Sequence, residues 1–396
     1  MSSKITLQVE NQRQIRVAVF IYFFLFGLCF ASWASRIPEI KTTLMLDDAA
    51  WGMMLLMIPM GQLVGMTFSG WLISKVGSHL VSLIAVLGYS ISLLAIGLAP
   101  TVPLFVASLI VFGFFGNFCN IAINTQAVVI ENHYKKPIMA SFHGGWSFAG
   151  LCGALFGLGM TMMKIPTPIH FAAIAILVSS VAVVKYKYLQ NDALGANKTE
   201  ESGDKSPKAK FENFLLWLGI IGFVGWATEG TMADWNGIYL QQIVGVDERF
   251  TPIGLTAYMI TMTIGRFVMD RAIGRFGRRN VLCLCGAAIF VGMFIAALVP
   301  TFIMTIIGFM IVGFGACGVI PIIYSAAGEN TKIHTGRAIT IVSTISFAGF
   351  LFGPPMIGYV SDLTNLKYAF GLVGILGLGA WIMATQLQVL RSKREQ

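Results

Sequence analysis

Two carboxylates, Glu229 and Asp234, lie within one long apolar stretch of the sequence, where an ionised side chain is unfavourable. Burial away from water favours the protonated form of a carboxyl group, so such a group can bind and release a proton near neutral pH. Both residues are therefore predicted to couple proton movement to another process. For Glu229, a direct contact with a solute and a permanently paired structural role are the alternatives.

A second polar group follows one helical face of another apolar stretch. Asn117, Asn120 and Asn124 are spaced i, i+3 and i+7, and Glu131 continues the series at i+14. A polar stripe is costly against lipid, so it is expected to line an internal cavity. Amide groups there suit the hydroxyl, amide or carboxylate groups of a small solute. Hydrogen bonding between helices is the alternative role.

The remaining candidates for solute contact are one histidine and four tryptophans in apolar stretches: His143, Trp33, Trp146, Trp226 and Trp235. Indole rings stack on sugar-like or aromatic solutes, although tryptophan also anchors helices at membrane interfaces. His143 has no second histidine or cysteine at ligand spacing, so no metal site is predicted, and simple packing is its alternative role. No cofactor is predicted.

The segments that carry these residues have the apolar composition of membrane-spanning helices. Hydrophobic residues make up 56% of the 396 residues and charged residues only 11%. Twelve apolar segments are long enough to cross the ~30 Å hydrocarbon core. They lie at about 16–35, 50–73, 80–99, 103–131, 138–163, 169–187, 214–240, 252–273, 280–299, 301–328, 338–360 and 368–389. The sequence therefore predicts an all-α membrane protein with twelve transmembrane helices.

The two halves of the chain repeat each other at an offset near 200 residues. The matching pairs are Ser-Phe-Ala-Gly at 147–150 and 346–349, Glu131-Asn132 with Glu329-Asn330, and Ala31-Ser32-Trp33 with Ala233-Asp234-Trp235. Because each half carries six apolar segments, the duplication predicts two pseudo-symmetric six-helix bundles. These are residues 1–187 and 214–396, joined by a charged linker at 188–213.

The net charge is +9, and the basic residues are distributed among the loops as membrane topology requires. Nucleic-acid binding is therefore not predicted. Only five basic residues lie in the loops on one side, namely Arg36, Lys41, Lys164, Arg249 and Lys367, and Arg266 lies inside a crossing. The positive-inside rule then places both termini and the linker in the cytoplasm. The expected partners are the lipid bilayer, a small solute and H⁺, and a monomer is expected.

Charged residues at the segment ends are predicted to form gates. Arg36 ends the first crossing as Asp234 ends the seventh, so a periplasmic latch between them is predicted. For Arg36, a side chain that reaches water without a fixed partner is the alternative. At the cytoplasmic end, Glu131 and Glu329 are expected to pair with basic neighbours. These neighbours are Lys135, Lys136, Arg275, Arg278 and Arg337.

Twelve crossings in two repeated halves, a long central loop, and glycine-plus-basic loops after crossings two and eight resemble the major facilitator superfamily. The family's loop reads Gly-x-x-x-Asp-Arg-x-Gly-Arg-Arg. In this chain the stretch from Gly70 to His79 keeps both glycines and one cation but has Ser74 at the aspartate position. The second copy, Asp270 to Arg279, keeps the final Arg-x-Gly-Arg-Arg.

Trp33-x-x-Arg36-x-Pro38, the asparagine-rich fourth crossing and His143-Gly144-x-x-Ser147 look like a bacterial inner-membrane subgroup near the fucose-permease-like sugar symporters. The resemblance implies a secondary active transporter, not an enzyme, that moves a small polar organic solute by alternating access with proton coupling. A drug or metabolite exporter of the same fold is the alternative, although the fifth crossing lacks the proline typical of proton-driven drug antiporters. A non-transporting receptor is a third possibility.

Overall fold

The computed structural model describes residues 2–134, 138–190, 213–330, 335–387 and 390. Within these ranges it leaves out the side chains of 2–11, 132–134, 140, 270, 329–330 and 335–337. The described residues form fourteen α-helices and no strand, which confirms the all-α prediction. The helices are α1 (Ser2–Ser35), α2 (Ile37–Thr43), α3 (Asp48–Leu55), α4 (Met57–Val76), α5 (Ser78–Leu98), α6 (Val102–Tyr134), α7 (Met139–Met162), α8 (Thr167–Tyr186), α9 (Asn213–Asp234), α10 (Asn236–Tyr239), α11 (Pro252–Leu298), α12 (Phe302–Asn330), α13 (Thr335–Leu363) and α14 (Leu366–Gln386).

Eleven stretches of the described chain are long and apolar enough to cross a membrane. The predicted eighth crossing, 252–273, lies in the first half of α11, before the backbone breaks at Gly277. Gly277 has φ 78° and ψ 155°, a conformation that only glycine adopts readily. Gly77, in the corresponding loop of the first half, has nearly the same values, φ 84° and ψ 151°. The family's loop glycine therefore ends a crossing in both halves.

By packing, the chain divides into two compact units. Unit 1 comprises residues 1–36 and 57–204, and unit 2 comprises residues 37–56 and 205–396. In unit 1, α1 packs against α7, α4 and α5 against α6, and α8 against α5. In unit 2, α9 packs against α13, and α11 packs against α12 and α14. The predicted division of the chain at the linker 188–213 stays a prediction.

The duplicated sequence produces matched helix contacts inside the two units. In unit 1, a side chain at Gly27 of α1 would meet the Ala149 side chain of α7 at 3.1 Å. In unit 2, a side chain at Gly349 of α13 would meet the backbone of Ala227 of α9 at 3.0 Å. Each contact pairs glycine with alanine, with the two residues exchanged between the helices. Small residues at these points let the backbones approach closely.

The first and seventh crossings each end in a break. Helix α1 stops at Ser35 and α2 starts at Ile37, while α9 stops at Asp234 and α10 starts at Asn236. The predicted crossing 214–240 is therefore divided. The Asn236 side chain donates a hydrogen bond to the Met232 carbonyl at 2.5 Å, and such local bonding competes with the regular helix.

The segment Ile37–Leu56 packs within unit 2, although its neighbours in the sequence, α1 and α4, belong to unit 1. Its helix α3 lies against α13, where Gly52 contacts the backbone of Pro354 and Gly358 contacts the backbone of Asp48. The second predicted crossing, 50–73, is accordingly divided at Leu56, between α3 and α4.

Candidate functional site

Helix α9 places Glu229 opposite Arg266 of α11 in unit 2. The Arg266 Nη2 atom lies 3.9 Å from the Glu229 Oε2 atom, and the two side chains are 21% and 14% exposed. The two groups form an ion pair, but the distance between them is longer than a hydrogen bond. The sequence predicted that Glu229 binds and releases a proton, and it placed Arg266 inside a crossing. It did not indicate that the two residues form a pair. The pairing required knowledge of which helices lie together.

Tyrosine side chains of α11 and α12 interact with this pair. The Tyr258 side chain is 1% exposed and interacts electrostatically with both Glu229 and Arg266. Its hydroxyl has no hydrogen-bond partner among the described residues. Trp226, one turn before Glu229, interacts with Tyr324 of α12. The site therefore combines a carboxyl group that can bind and release a proton with a guanidinium cation and phenol groups that can bind a polar solute.

Asp234 and Trp235 lie at the end of α9 in the interior of unit 2. Asp234 is 7% exposed and Trp235 is fully buried. The Trp235 indole nitrogen has no hydrogen-bond partner in the described part of the chain. The predicted roles of Asp234 in proton coupling and of Trp235 in solute contact stay predictions.

In unit 1, the asparagine face of α6 lines a cavity. Asn120 and Asn124, with Ile121, Thr125 and Val128, border an open space of about 380 Å³. The Asn124 amide nitrogen donates to the Asn120 backbone carbonyl at 2.7 Å and to the Asn120 side-chain oxygen at 3.0 Å. Asn120 is exposed, so its side chain can contact a solute in this cavity.

Asn117 differs from the other two asparagines because its side chain is only 7% exposed. Its amide oxygen has no hydrogen-bond partner among the residues that the structure describes. It is not one of the residues that line the cavity. The structure thus brings Asn120 and Asn124 together at a surface and places Asn117 in the interior of unit 1.

The predicted aromatic contacts of unit 1 have different environments. Trp33 is fully buried and packs against Phe105 and Phe112 of α6, with ring centroids 6.2 and 6.4 Å away. Trp146 is half-buried, and its ring lies 5.8 Å from that of Phe30. His143 is exposed, and its ring lies edge-on to Phe23 at 5.4 Å. Trp146 and His143 are therefore the more accessible side chains of this group.

Arg36 forms side-chain hydrogen bonds within unit 1. Its Nε atom donates to His170 Nδ1 at 2.9 Å, and its Nη2 atom donates to the Ile165 carbonyl at 2.8 Å. Because His170 Nδ1 accepts a hydrogen bond, the ring is neutral and carries its proton on Nε2. The sequence analysis did not identify His170. The latch between Arg36 and Asp234 stays a prediction.

The predicted cytoplasmic gate lies partly outside the described residues, which leave out Lys135, Lys136 and the side chains of Glu329 and Arg337. Glu131 is described, and it accepts backbone hydrogen bonds from Ile138 at 2.8 Å and Met139 at 2.7 Å. The carboxylate thus caps the first turn of α7. The Arg275 guanidinium lies over the Phe276 ring at 5.4 Å. The gate roles of these residues and of Arg278 stay predictions.

A polar cluster around Asp48 in unit 2 was not identified from the sequence. The Asp48 carboxylate lies 2.7 Å from the Lys41 ammonium group and accepts hydrogen bonds from Gln242 at 3.1 Å and from Ser361. These partners come from α2, a π-helical turn at Leu240–Val244, and α13. The sequence feature that could have indicated this cluster is Asp48 itself, an acidic residue at the start of an apolar crossing.

The comparisons agree with this architecture. The family model of the Major Facilitator Superfamily matches residues 18–247 and 231–395. An uncharacterised MFS-type transporter of Yersinia pestis is 32% identical over 388 residues, which cover 95% of this chain and 97% of that one. The cis,cis-muconate transport protein of Acinetobacter baylyi is 23% identical over 344 residues, 79% of each chain.

Two solved structures share the fold at low sequence identity. The nucleoside transporter NupG superimposes with a TM-score of 0.75 at 13% identity, covering 95% of this chain and 99% of that one. The fucose:proton symporter FucP of E. coli superimposes with a TM-score of 0.64 at 16% identity, covering 93% and 97%. The predicted twelve-helix resemblance is thereby confirmed. The chain is a multi-pass membrane transporter that belongs to the major facilitator superfamily.

Proposed function

We propose that the protein moves a small polar organic solute, sugar-like in its chemistry, across the bacterial inner membrane by alternating access, driven by protons. The observation that carries the proposal is the Glu229 carboxylate, which lies inside unit 2 at 3.9 Å from Arg266. An acid at such a position is a functional site by default, because an ionised group inside a membrane is costly.

The geometry supports a simple coupling cycle. When Glu229 is ionised, the positive charge of Arg266 balances it. The distance between the two groups is longer than a hydrogen bond, so the pair can separate. When Glu229 takes up a proton, the pair loses its attraction and Arg266 becomes available to a polar group of the solute. Release of the proton on the other side of the membrane restores the pair and favours release of the solute.

An organic anion is a second candidate solute. Arg266 is a cation inside a crossing, and a guanidinium group binds a carboxylate with two parallel hydrogen bonds. The relative named a cis,cis-muconate transport protein fits this chemistry, since muconate carries two carboxylates. Both candidates use the same site. A neutral solute reaches Arg266 once Glu229 is protonated, whereas an anionic solute also competes with the Glu229 carboxylate for Arg266.

We also propose that both termini face the cytoplasm. The support is the charge pattern, in which most basic residues lie in the loops on the side of the termini. Direction of transport follows from this orientation and the proton gradient: a symporter imports the solute when the periplasm is more acidic than the cytoplasm.

Purified protein is first screened by thermal shift against sugars and small carboxylates, because a bound solute raises the melting temperature. The solute found is then tested in proteoliposomes with an imposed pH gradient. The wild type should accumulate solute. Glu229→Gln should keep exchange and lose accumulation, and the exposed acid Asp362 supplies the control Asp362→Asn, which should behave like the wild type. A Glu229→Gln protein that still accumulates solute contradicts the proposal.

A further inference from the structure

Unit 1 contains a second cavity at the ends of α1 and α8, away from the asparagine face. It has a volume of about 370 Å³ and is bordered by Arg13, Gln14, Val17, Ala18, Lys185 and Tyr188. By the charge pattern, this end of unit 1 is the one predicted to be cytoplasmic. The small Ala18 side chain leaves space between the helices at this point.

The cavity is basic. It contains one guanidinium group and one ammonium group, and Lys187 adds a second ammonium group 5.0 Å from the centre of the Tyr188 ring. Lys185 lies 5.6 Å from the centre of the same ring. Within the part of the chain that the structure describes, no carboxylate pairs with Arg13, Lys185 or Lys187. The cavity therefore has a positive charge that an anion would balance.

Directly below the cavity, the two helices are locked together. The buried Tyr22 hydroxyl of α1 donates to the Ala182 carbonyl of α8 at 2.9 Å. This bond joins α1 and α8 about one turn nearer the middle of the membrane than the residues that line the cavity.

The bundle surface carries exposed apolar side chains that continue from the cavity. On α1, Val17 lies one turn beyond Arg13 and is 46% exposed. On α8, Val184 directly precedes Lys185 and is 60% exposed. A molecule with an anionic head and an apolar tail matches both parts of this site. Basic pockets between transmembrane helices at the cytoplasmic side are suited to anionic lipid head groups.

We propose that the cavity between α1 and α8 binds the phosphate head group of an anionic glycerophospholipid, with its acyl chains along Val17 and Val184. Arg13 and Lys185 bind the phosphate oxygens, and Gln14 donates to the glycerol or ester oxygens. The site differs from the solute site because none of its residues belongs to the asparagine face or to the Glu229 site.

The test uses the full-length protein in detergent micelles, titrated with phosphatidylglycerol while bound lipid is counted by native mass spectrometry. Arg13→Gln and Lys185→Gln should each raise the apparent Kd about fivefold, since a basic residue near an anionic lipid contributes ~1 kcal/mol. The charge-conserving Lys185→Arg should keep wild-type affinity. Arg13 is exposed, so Arg13→Gln should fold like the wild type.

Three controls separate a specific lipid site from general charge effects. Lys75→Gln removes a cation at the same predicted membrane side, where Lys75 lies over Trp71 at 5.0 Å, and should leave affinity unchanged. Phosphatidylcholine, which has no net charge, should bind the wild type and Lys75→Gln more weakly than phosphatidylglycerol, and this preference should shrink in Arg13→Gln and Lys185→Gln. Equal binding of the two lipids, an equal loss in Lys75→Gln, or displacement of the lipid by millimolar inorganic phosphate would each overturn the proposal.

Discussion

Asp48 on α3 and Ser361 on α13 are hydrogen-bonded although they lie 313 residues apart in the sequence. Lys41 and Gln242 contact the same carboxylate. Asp48 thereby fastens the segment Ile37–Leu56 to unit 2, whereas both ends of that segment continue into helices of unit 1.

Asp48→Ala is expected to loosen this segment. It removes the partner of Lys41, whose side chain is only 9% exposed, and should cost about 1 to 3 kcal/mol of folding stability. Hydrogen exchange measured by mass spectrometry should rise in residues 37–56. Asp47→Asn is the matched control, because Asn still caps α3 at Ala50 while the neighbouring charge is lost. Unchanged exchange in Asp48→Ala would show that the cluster does not hold the segment.

The loop glycines provide a prediction about backbone conformation. Alanine at Gly77 or Gly277 should destabilise the protein by about 1 to 3 kcal/mol, because both residues have positive φ with ψ near 150°. Alanine at Gly70 or Gly274 should be neutral or slightly stabilising, since a side chain there meets nothing within 4 Å. The melting temperatures of the four single variants, measured in one detergent, test this difference. Four equal shifts would contradict it.

The asparagine cavity predicts separate effects on affinity and stability. Asn120→Ala should weaken solute binding by roughly 1 to 3 kcal/mol and leave the melting temperature near that of the wild type, because Asn120 is exposed at the cavity. Asn117→Ala should have the smaller effect on affinity, since Asn117 is buried. Binding is measured by titration with the solute identified in the thermal-shift screen. If Asn120→Ala lowers stability but not affinity, the asparagines serve helix packing.

The predicted latch is tested by a double-mutant cycle. Arg36→Gln should lower the melting temperature, since the His170 ring nitrogen and the Ile165 carbonyl lose their donor. If Arg36 and Asp234 also act together, the double variant with Asp234→Asn should lose less transport than the sum of the two single losses. Exchanging the charges, as Arg36→Asp with Asp234→Arg, should then restore part of the transport. Strictly additive losses would mean that the two residues act independently.

The sequence by itself determined the membrane fold and its duplication. Segment length, apolar content and loop charge are local properties, and lipid leaves few folds open to a chain with such segments. The repeated Ser-Phe-Ala-Gly also predicted equivalent helices, and the two helices that carry it, α7 and α13, pack against α1 and α9, the first helix of each half. The sequence also indicated that Glu229 is unusual, because a carboxylate in an apolar segment is costly wherever that segment packs.

Only the tertiary structure decided which groups meet. Arg36 contacts His170, 134 residues away, and Asp48 contacts Ser361, while Glu229 faces Arg266 on a different helix. These pairings depend on the rotation of each helix about its axis and on its neighbours in the bundle. Helical spacing identifies residues that share one face, but it does not say what that face packs against. The partner of a buried charge is therefore a property of the assembled fold.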